Sequence, residues 1–516
     1  MKNFIKHLWL RRWFRWCVWI AIIVFVTLVF VREAAGWAGT RRWVAVQEML
    51  AREGESLDLH KIGPDSVPDD RNFCAIPALK DLPLIPADAD DKSEQGRQRL
   101  RLVNAGLPVV LAEASPPKFL QGASVGMATD LMAWANWLHK KGLPPVSNNP
   151  AMDILAALSK NDSLVSELAT GLGRPESQWT PALKTRPLPE FLFSMGFPHY
   201  TVVQKLTPML CLRSAAAARV GEAAKAHESL LIALRLNEAN TKEPFLIGTL
   251  VACGCSAIIS SAVWELCDAH SGTAEDFQKL QEALSRFDYR KSFMYAEEGE
   301  LAGSVNAGEY FKRTRGAGIL NLADHSKYVP GPLIFRLLPD GWFDANTATI
   351  AQWHFDYCIK PLRDVGFTEL LAKQEEMEAL ITEYKSQPYR HLDEFLALIA
   401  VPAFRGVTYR VVYTQCLVNE AIAACALERY RIEHGAYPDT LEAANIVGEK
   451  SIPLDVISGK PMGYRKTADG RYALWCVGFD GKDDGGKRGY DEKHPEGPKF
   501  YQPTYVGDWV WDFASK

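Results

Sequence analysis

The sequence predicts a mainly α-helical protein: an N-terminal transmembrane helix, a multi-helix body and a small C-terminal α+β domain with an antiparallel hairpin. Three observations carry this. Trp16 to Val31 is an uncharged, proline-free run of 16 residues. From residue 124 to 434 apolar residues recur at the three-and-four spacing of helices. Beyond Gly435 that period gives way to short segments separated by Gly, Pro and Asp.

Lys2, Lys6, Arg11, Arg12 and Arg15 precede the apolar run, and Arg32-Glu33 close it. The run is short for a hydrocarbon core of about 30 Å. Trp13 and Phe14 lengthen it, provided Arg15 and Arg32 extend their charges to the headgroups. Trp9, Trp13, Trp16 and Trp19 suit the interface, where an indole finds apolar contact and a wet N–H partner. The cationic flank predicts a single pass through the inner (cytoplasmic) membrane, with the N-terminus cytoplasmic and the bulk extracytoplasmic. Ala34, Gly36 and Ala38 would suit a signal peptidase, yet Arg32-Glu33 charge the region such an enzyme reads, so an uncleaved anchor is expected. Phe245 to Val263 is a second uncharged stretch, 19 residues long. By length it is a span; its six Gly, Ser and Thr residues equally fit a buried helix of a helical body.

At 516 residues the chain holds several domains. A net charge of −4 and the lack of a basic patch beyond residue 15 argue against nucleic acid as a partner. Nine cysteines follow the anchor without a CxxC pattern and read as buried small hydrophobes.

The segments follow in order. Residues 1–33 form the tail and anchor. Residues 34–123 begin with a helix over 34–56, showing Trp43, Val46 and Met49-Leu50 on one face. A proline- and aspartate-rich passage over 57–92 follows, expected to wrap a surface as extended chain. Residues 93–115 hold a short helix and a strand at 107–111. The body, 124–405, carries helices near 124–140, 150–172, 201–220, 222–238, 245–270, 274–287 and 367–386, with a Gly/Pro-richer linker over 310–345. A last helix over 389–433 is broken near Pro402. The pair around Gly221 reads as a helical hairpin; small residues there resemble a single tetratricopeptide unit, without a second copy 34 residues away.

Residues 406–516 form the α+β domain. A helix ends at His434-Gly435, followed by Tyr437-Pro438, Pro453-Leu454-Asp455 and Gly459. Strands over 464–466 and 471–477 flank Asp469-Gly470, a hairpin turn in which both residues are expected at positive φ. Gly478-Phe479-Asp480-Gly481 opens a glycine- and aspartate-rich loop. This order resembles the C-terminal domain of major pseudopilins of type II secretion, on Gly435, Tyr437, Pro438, Pro453, Asp455, Gly459, Tyr464, Gly478, Asp480 and Gly481. It covers about 80 of 516 residues. The resemblance implies a helix leading into a small antiparallel sheet, and a loop that binds calcium. It departs from the family at the membrane segment, which lies far upstream of this helix, so polymerisation as a pilin is not expected.

The loop supplies carboxylates for that calcium at Asp480, Asp483, Asp484 and Asp491, on glycines that permit a tight curve. Calcium takes six to eight oxygens from such turns. Against an EF-hand loop, Asp480, Asp484, Gly485 and Asp491 fall at positions one, five, six and twelve, but Lys482 stands at position three.

Catalytic signals are sparse. Gly122-Ala123-Ser124-Val125-Gly126 matches a nucleophile elbow, but no buried strand precedes it, and Ser124 is expected to cap a helix. Glu297, Glu298 and Glu300 offer paired carboxylates of the kind glycoside hydrolysis uses. There is no HExxH, P-loop or dinucleotide fingerprint. The reading is a membrane-anchored extracytoplasmic binding or scaffold protein with protein partners in the envelope, linked to secretion or envelope assembly. The alternative is an extracytoplasmic hydrolase with dispersed active-site residues.

Overall fold

The structure is a computed structural model describing residues 12–85, 90, 92–106, 117, 122–143, 145–185, 196–315, 333–387, 390–391, 393–400, 404–444, 452–491, 501–502 and 504–513. It is mainly helical, with a small three-stranded antiparallel sheet near the C-terminus, in accord with the sequence reading.

α1 (Arg12–Arg52) is one unbroken rod of 41 residues, about 60 Å long. Its two halves differ. Residues 19–35 are all exposed. Gly36, Gly39, Trp43, Val46 and Leu50 are then buried. Those positions step by three and four, the spacing that keeps one seam of a helix against a partner. The partner is the later helix Asp340–His354. Gly36 and Gly39 let the backbones meet: a Cβ at position 39 would stand 1.9 Å from the Gly341 carbonyl oxygen. Thr40 Oγ1 then donates to Asp344 Oδ2 at 2.7 Å, and Lys312 Nζ holds the other carboxylate oxygen at 2.7 Å.

Residues 57–85 wrap the body as expected, burying Phe73, Ile76, Leu79, Leu82 and Ile85. Asn72 pairs with Glu176 in a parallel bridge. The passage is less extended than predicted, because it coils into single turns at Leu59–Ile62, Asp69–Arg71, Phe73–Ala75 and Leu82–Leu84. The expected strand at 107–111 lies outside the described residues.

The body continues through α2 (Glu94–Ala105), α3 (Gly122–Val125), α4 (Leu131–Lys140), α5 (Pro150–Leu158), α6 (Asp162–Ala169), α7 (Pro198–Arg219), α8 (Ala223–Asn240) and α9 (Leu246–Asp268). α7 and α8 form the anticipated hairpin, turning at Gly221 with φ +79°. α9, the second hydrophobic stretch, packs as a core helix, with 72% of its most apolar window buried. Its polar residues have neighbours to bond: Ser256 meets Asn237 Nδ2 at 2.9 Å and Tyr289 Oη at 2.7 Å, and Thr249 meets Ser292 at 3.1 Å.

α10 (Ala274–Leu284) starts on a capping box between Thr273 and Asp276. α11 (Tyr289–Thr314), α12 (Leu333–Leu337) and α13 (Asp340–His354) occupy much of the region read as a linker over 310–345. That reading missed α13 because, apart from Trp342 and Phe343, its first ten residues, Asp-Gly-Trp-Phe-Asp-Ala-Asn-Thr-Ala-Thr, are small, polar or β-branched. All but Asp340 and Trp342 are buried nevertheless: Thr347 and Thr349 bond back to the carbonyls of Phe343 and Ala345. A π-turn at Phe355–Ile359 leads into α14 (Lys360–Asp364), then α15 (Phe367–Ser386), α16 (Phe395–Ala400) and α17 (Phe404–His434).

α17 packs on α9, α10 and α15 and also lies against the sheet. One continuous core therefore runs from Phe73 through α17 to Trp511, across the expected boundary at 405/406. Gly435, at φ +78°, ends α17 by donating to the Arg431 carbonyl at 2.8 Å. β1 (Gly463–Lys466), β2 (Tyr472–Cys476) and β5 (Trp509–Trp511) form an antiparallel sheet with β2 central and wholly buried. β3 (Tyr490–Asp491) pairs with β4 (Tyr505–Val506). The β1–β2 turn differs from the two-residue form expected. Only Gly470 takes positive φ, while Asp469 Oδ1 accepts from Arg471 N at 3.2 Å, so Thr467 to Arg471 close a longer loop. All nine cysteines after Cys17 are buried and free.

Candidate functional site: the acidic loop and the buried carboxylates

The motif residues of the C-terminal domain knit its loops to its sheet. Asp455 is buried, and its Oδ1 accepts from Ile457 N at 2.7 Å and Ser458 N at 2.9 Å. Its Oδ2 accepts from Val477 N at 2.7 Å, which fixes the loop after Pro453 to the end of β2. Tyr437 donates to Glu428 on α17, and Tyr464 donates to the Pro438 carbonyl at 2.7 Å.

The acidic loop leaves β2 at Gly478, where a Cβ would lie 2.1 Å from the Gly507 carbonyl oxygen. This crossing brings the residue after Gly507 under the loop. Asp508 is fully buried, and its Oδ2 accepts from Asp484 N at 3.1 Å and Gly486 N at 2.8 Å. Its Oδ1 is buried without a hydrogen-bond partner. Burial pushes the Asp508 carboxyl up to about 6, and Asp483 and Asp484 push it the same way.

Of the residues proposed as metal ligands, Asp480 Oδ1 caps its own turn by accepting from Lys482 N at 3.2 Å. Asp483 Oδ1 accepts from Trp475 Nε1 at 2.9 Å and Gly485 N at 2.9 Å. Asp484 presents its backbone to Asp508. Asp491 stands in β3 opposite Tyr505. Among the described residues no three His, Cys, Asp or Glu side chains converge as a metal cluster. Asp508 Oδ1 is therefore a buried oxygen that lacks a donor, with Asp483 and Asp484 adding negative charge to its surroundings. Sequence reasoning missed Asp508; the Gly507-Asp508 dipeptide was the available turn signal.

Ser124 does not cap a helix. It lies within the single turn α3, bonded to Tyr413 Oη at 2.9 Å, and the cap of α4 is Asp130, which accepts from Ala133 N at 2.8 Å. The glycines of the elbow-like pentapeptide have packing roles. A Cβ at Gly122 would stand 2.3 Å from the Trp264 ring, and Gly126, at φ +67°, faces Asp512. Arg488 reaches from the acidic loop to the Ser124 carbonyl and the Asp512 carboxylate, tying loop to body.

The glutamates of α11 are each engaged by a different partner. Glu297 Oε2 meets His354 Nδ1 at 3.1 Å, both side chains being buried just before the π-turn. Glu300 Oε1 accepts from Leu246 N at 3.0 Å, capping α9, whose own N-cap residue, Phe245, has no side-chain acceptor. Glu298 faces Glu55 and Arg363 instead, and burial raises its pKa. Farther along, Glu420 is fully buried on α17; burial outweighs the Arg488 cation and drives its pKa well above the ordinary range.

Glu300 yields a prediction. Burial raises its pKa from 4.5 to about 7. Between those values the folded protein binds the proton more tightly than the unfolded chain, so this contribution to stability falls as pH rises. Glu300→Gln keeps the acceptor for Leu246 N–H without the charge. It should therefore stabilise the protein at pH 8 by about 1–3 kcal/mol and change little at pH 4. Urea midpoints at the two pH values check this; equal shifts at both would refute it.

No family model, curated protein or solved structure matches the chain.

Proposed function

We propose that the chain is a single-pass inner-membrane protein, N-terminus in the cytoplasm, whose helical body and small α+β domain serve outside it as a binding or scaffolding module of the envelope. The observation that carries this is α1, bare and apolar over residues 19–31 and locked into the body from Gly36 onward. Such a helix holds its cargo at a membrane rather than merely exporting it. The five cations before the run support the orientation. Alkaline phosphatase fused after Lys516 should be active and GFP dark; the reverse pattern overturns the reading. Affinity capture from detergent-solubilised membranes should recover stable partners, and recovery of the protein alone counts against a scaffold.

The link to secretion rests on the pseudopilin-like order of Gly435, Tyr437-Pro438, Asp455, the hairpin and the acidic loop. Calcium is proposed for that loop on the same ground, with Asp480, Asp483, Asp484 and Asp491 as its carboxylates and Asp508 added as a ligand, a reading supported by the unpartnered buried Oδ1. The ion would supply charge that fixes the loop, not a reaction step. Titrating calcium into the detergent-solubilised protein should release heat at pH 7, and binding should weaken below pH 6 as protons compete for Asp508. Asp508→Asn should abolish the heat. No heat at millimolar calcium ends the proposal.

A further inference from the structure

The place where α1 leaves its apolar run is marked by a contact from the body. Arg32, the first charged residue after the run, donates Nε to the Leu337 carbonyl at 2.8 Å. Leu337 ends α12 and is 65% exposed. Arg336 beside it is exposed as well. Trp37, little more than one turn beyond Arg32, is 64% exposed and carries the Arg41 guanidinium 4.6 Å over its ring. A single exposed leucine on a soluble surface means little. This one is held beside the residue at which the apolar rod gives way to charge, so its height along the rod is that of the bilayer interface. Apolar Leu337, amphipathic Trp37, and the cations Arg41 and Arg336 suit an interfacial contact with anionic lipid, while Arg32 is paired with Glu33. Phe335 of α12 points the other way, buried against Trp342 and Phe343, so the helix is fixed to the body and presents its end outward.

We infer that α12 is a second membrane contact: Leu337 enters the interface of an anionic phospholipid bilayer, and Arg336 meets headgroup phosphate. The inference rests on α1 being the span. It gives the body a fixed face toward the lipid, because one span alone leaves a protein free to tilt about its exit point.

The test uses the full-length protein in vesicles of phosphatidylcholine and phosphatidylglycerol. Cys17 is the one exposed cysteine, so Cys17→Ser leaves a background in which a single new cysteine is labelled with an environment-sensitive dye. Leu337→Cys should show a blue-shifted signal, quenched by shallow doxyl-labelled lipid. Phe25→Cys should be quenched by deep doxyl lipid. Ala51→Cys, about 28 Å farther along the rod than Arg32, should be quenched by neither. A quenched residue 25 beside an unquenched residue 337 removes the second contact and leaves the anchor standing. An unquenched residue 25 removes both. Phosphatidylcholine alone, whose phosphate is neutralised by choline, should weaken the signal at 337, and an unchanged signal there would strike out the preference for anionic lipid.

Discussion

Replacing Trp264 by alanine should lower stability by about 3–5 kcal/mol, the range for losing a buried large aromatic. Trp264 sits in α9, 2% exposed. Its ring stacks on Phe513 at 5.3 Å, lies against Gly122, and donates Nε1 to the Asp512 carbonyl at 2.8 Å. One side chain thus joins the core helix, the α3 turn and the tail that follows β5. The alanine variant leaves a void and strips a partly buried carbonyl of its donor. Trp264→Phe separates the two losses: it keeps a ring and should cost about 1–2 kcal/mol less than alanine. Guanidinium midpoints followed by near-ultraviolet circular dichroism measure both. A shift below about 1 kcal/mol for the alanine variant would mean that the C-terminal sheet is not docked on α9 as described.

Gly341→Ala should pry α1 away from α13. A Cβ at position 341 would stand 1.6 Å from the Gly36 carbonyl oxygen, with backbone on both sides and no flexible side chain to yield. The two helices must separate, and overpacking of this kind costs about 1–3 kcal/mol or more. Separation loosens Trp43, Val46 and Leu50 from Ala348, Ala351 and Phe355. Limited proteolysis should then cut between residues 33 and 57, where the wild type resists. Gly254→Ala is the control. Gly254 is exposed in the middle of α9, and nothing lies within 4 Å of its would-be Cβ. The same substitution there should stabilise by about 0.5–1 kcal/mol. Matching signs at the two positions would contradict the close approach at the seam.

The helices that strong periodicity or a good stop announces were legible in the sequence. α17 ends where Gly435 says it must, and the Trp43–Val46–Leu50 stripe faces the body. α9 was ambiguous for a physical reason: a core helix and a span share length and apolarity, and only the partners of Ser256 and Thr249 separate them. α13 was invisible because burial on all sides erases amphipathic period, and its threonines satisfy themselves on their own backbone. At the acidic loop the sequence showed the aspartates but not Asp508, which the chain crossing at Gly478 and Gly507 brings in from the start of β5. Ser124 and the α11 glutamates looked chemical because sequence shows side-chain type and spacing but not the partners that already engage them.

A shaft without a joint transmits twist. Since α1 runs from Arg12 to Arg52 unbroken and is gripped at Gly36 and Gly39, inserting one alanine between Phe30 and Val31 would turn the body by about 100° relative to the apolar segment and raise it by about 1.5 Å. The azimuth of the body about the exposed apolar segment is thereby encoded in the number of residues between the two, and counting them is the same as aiming it.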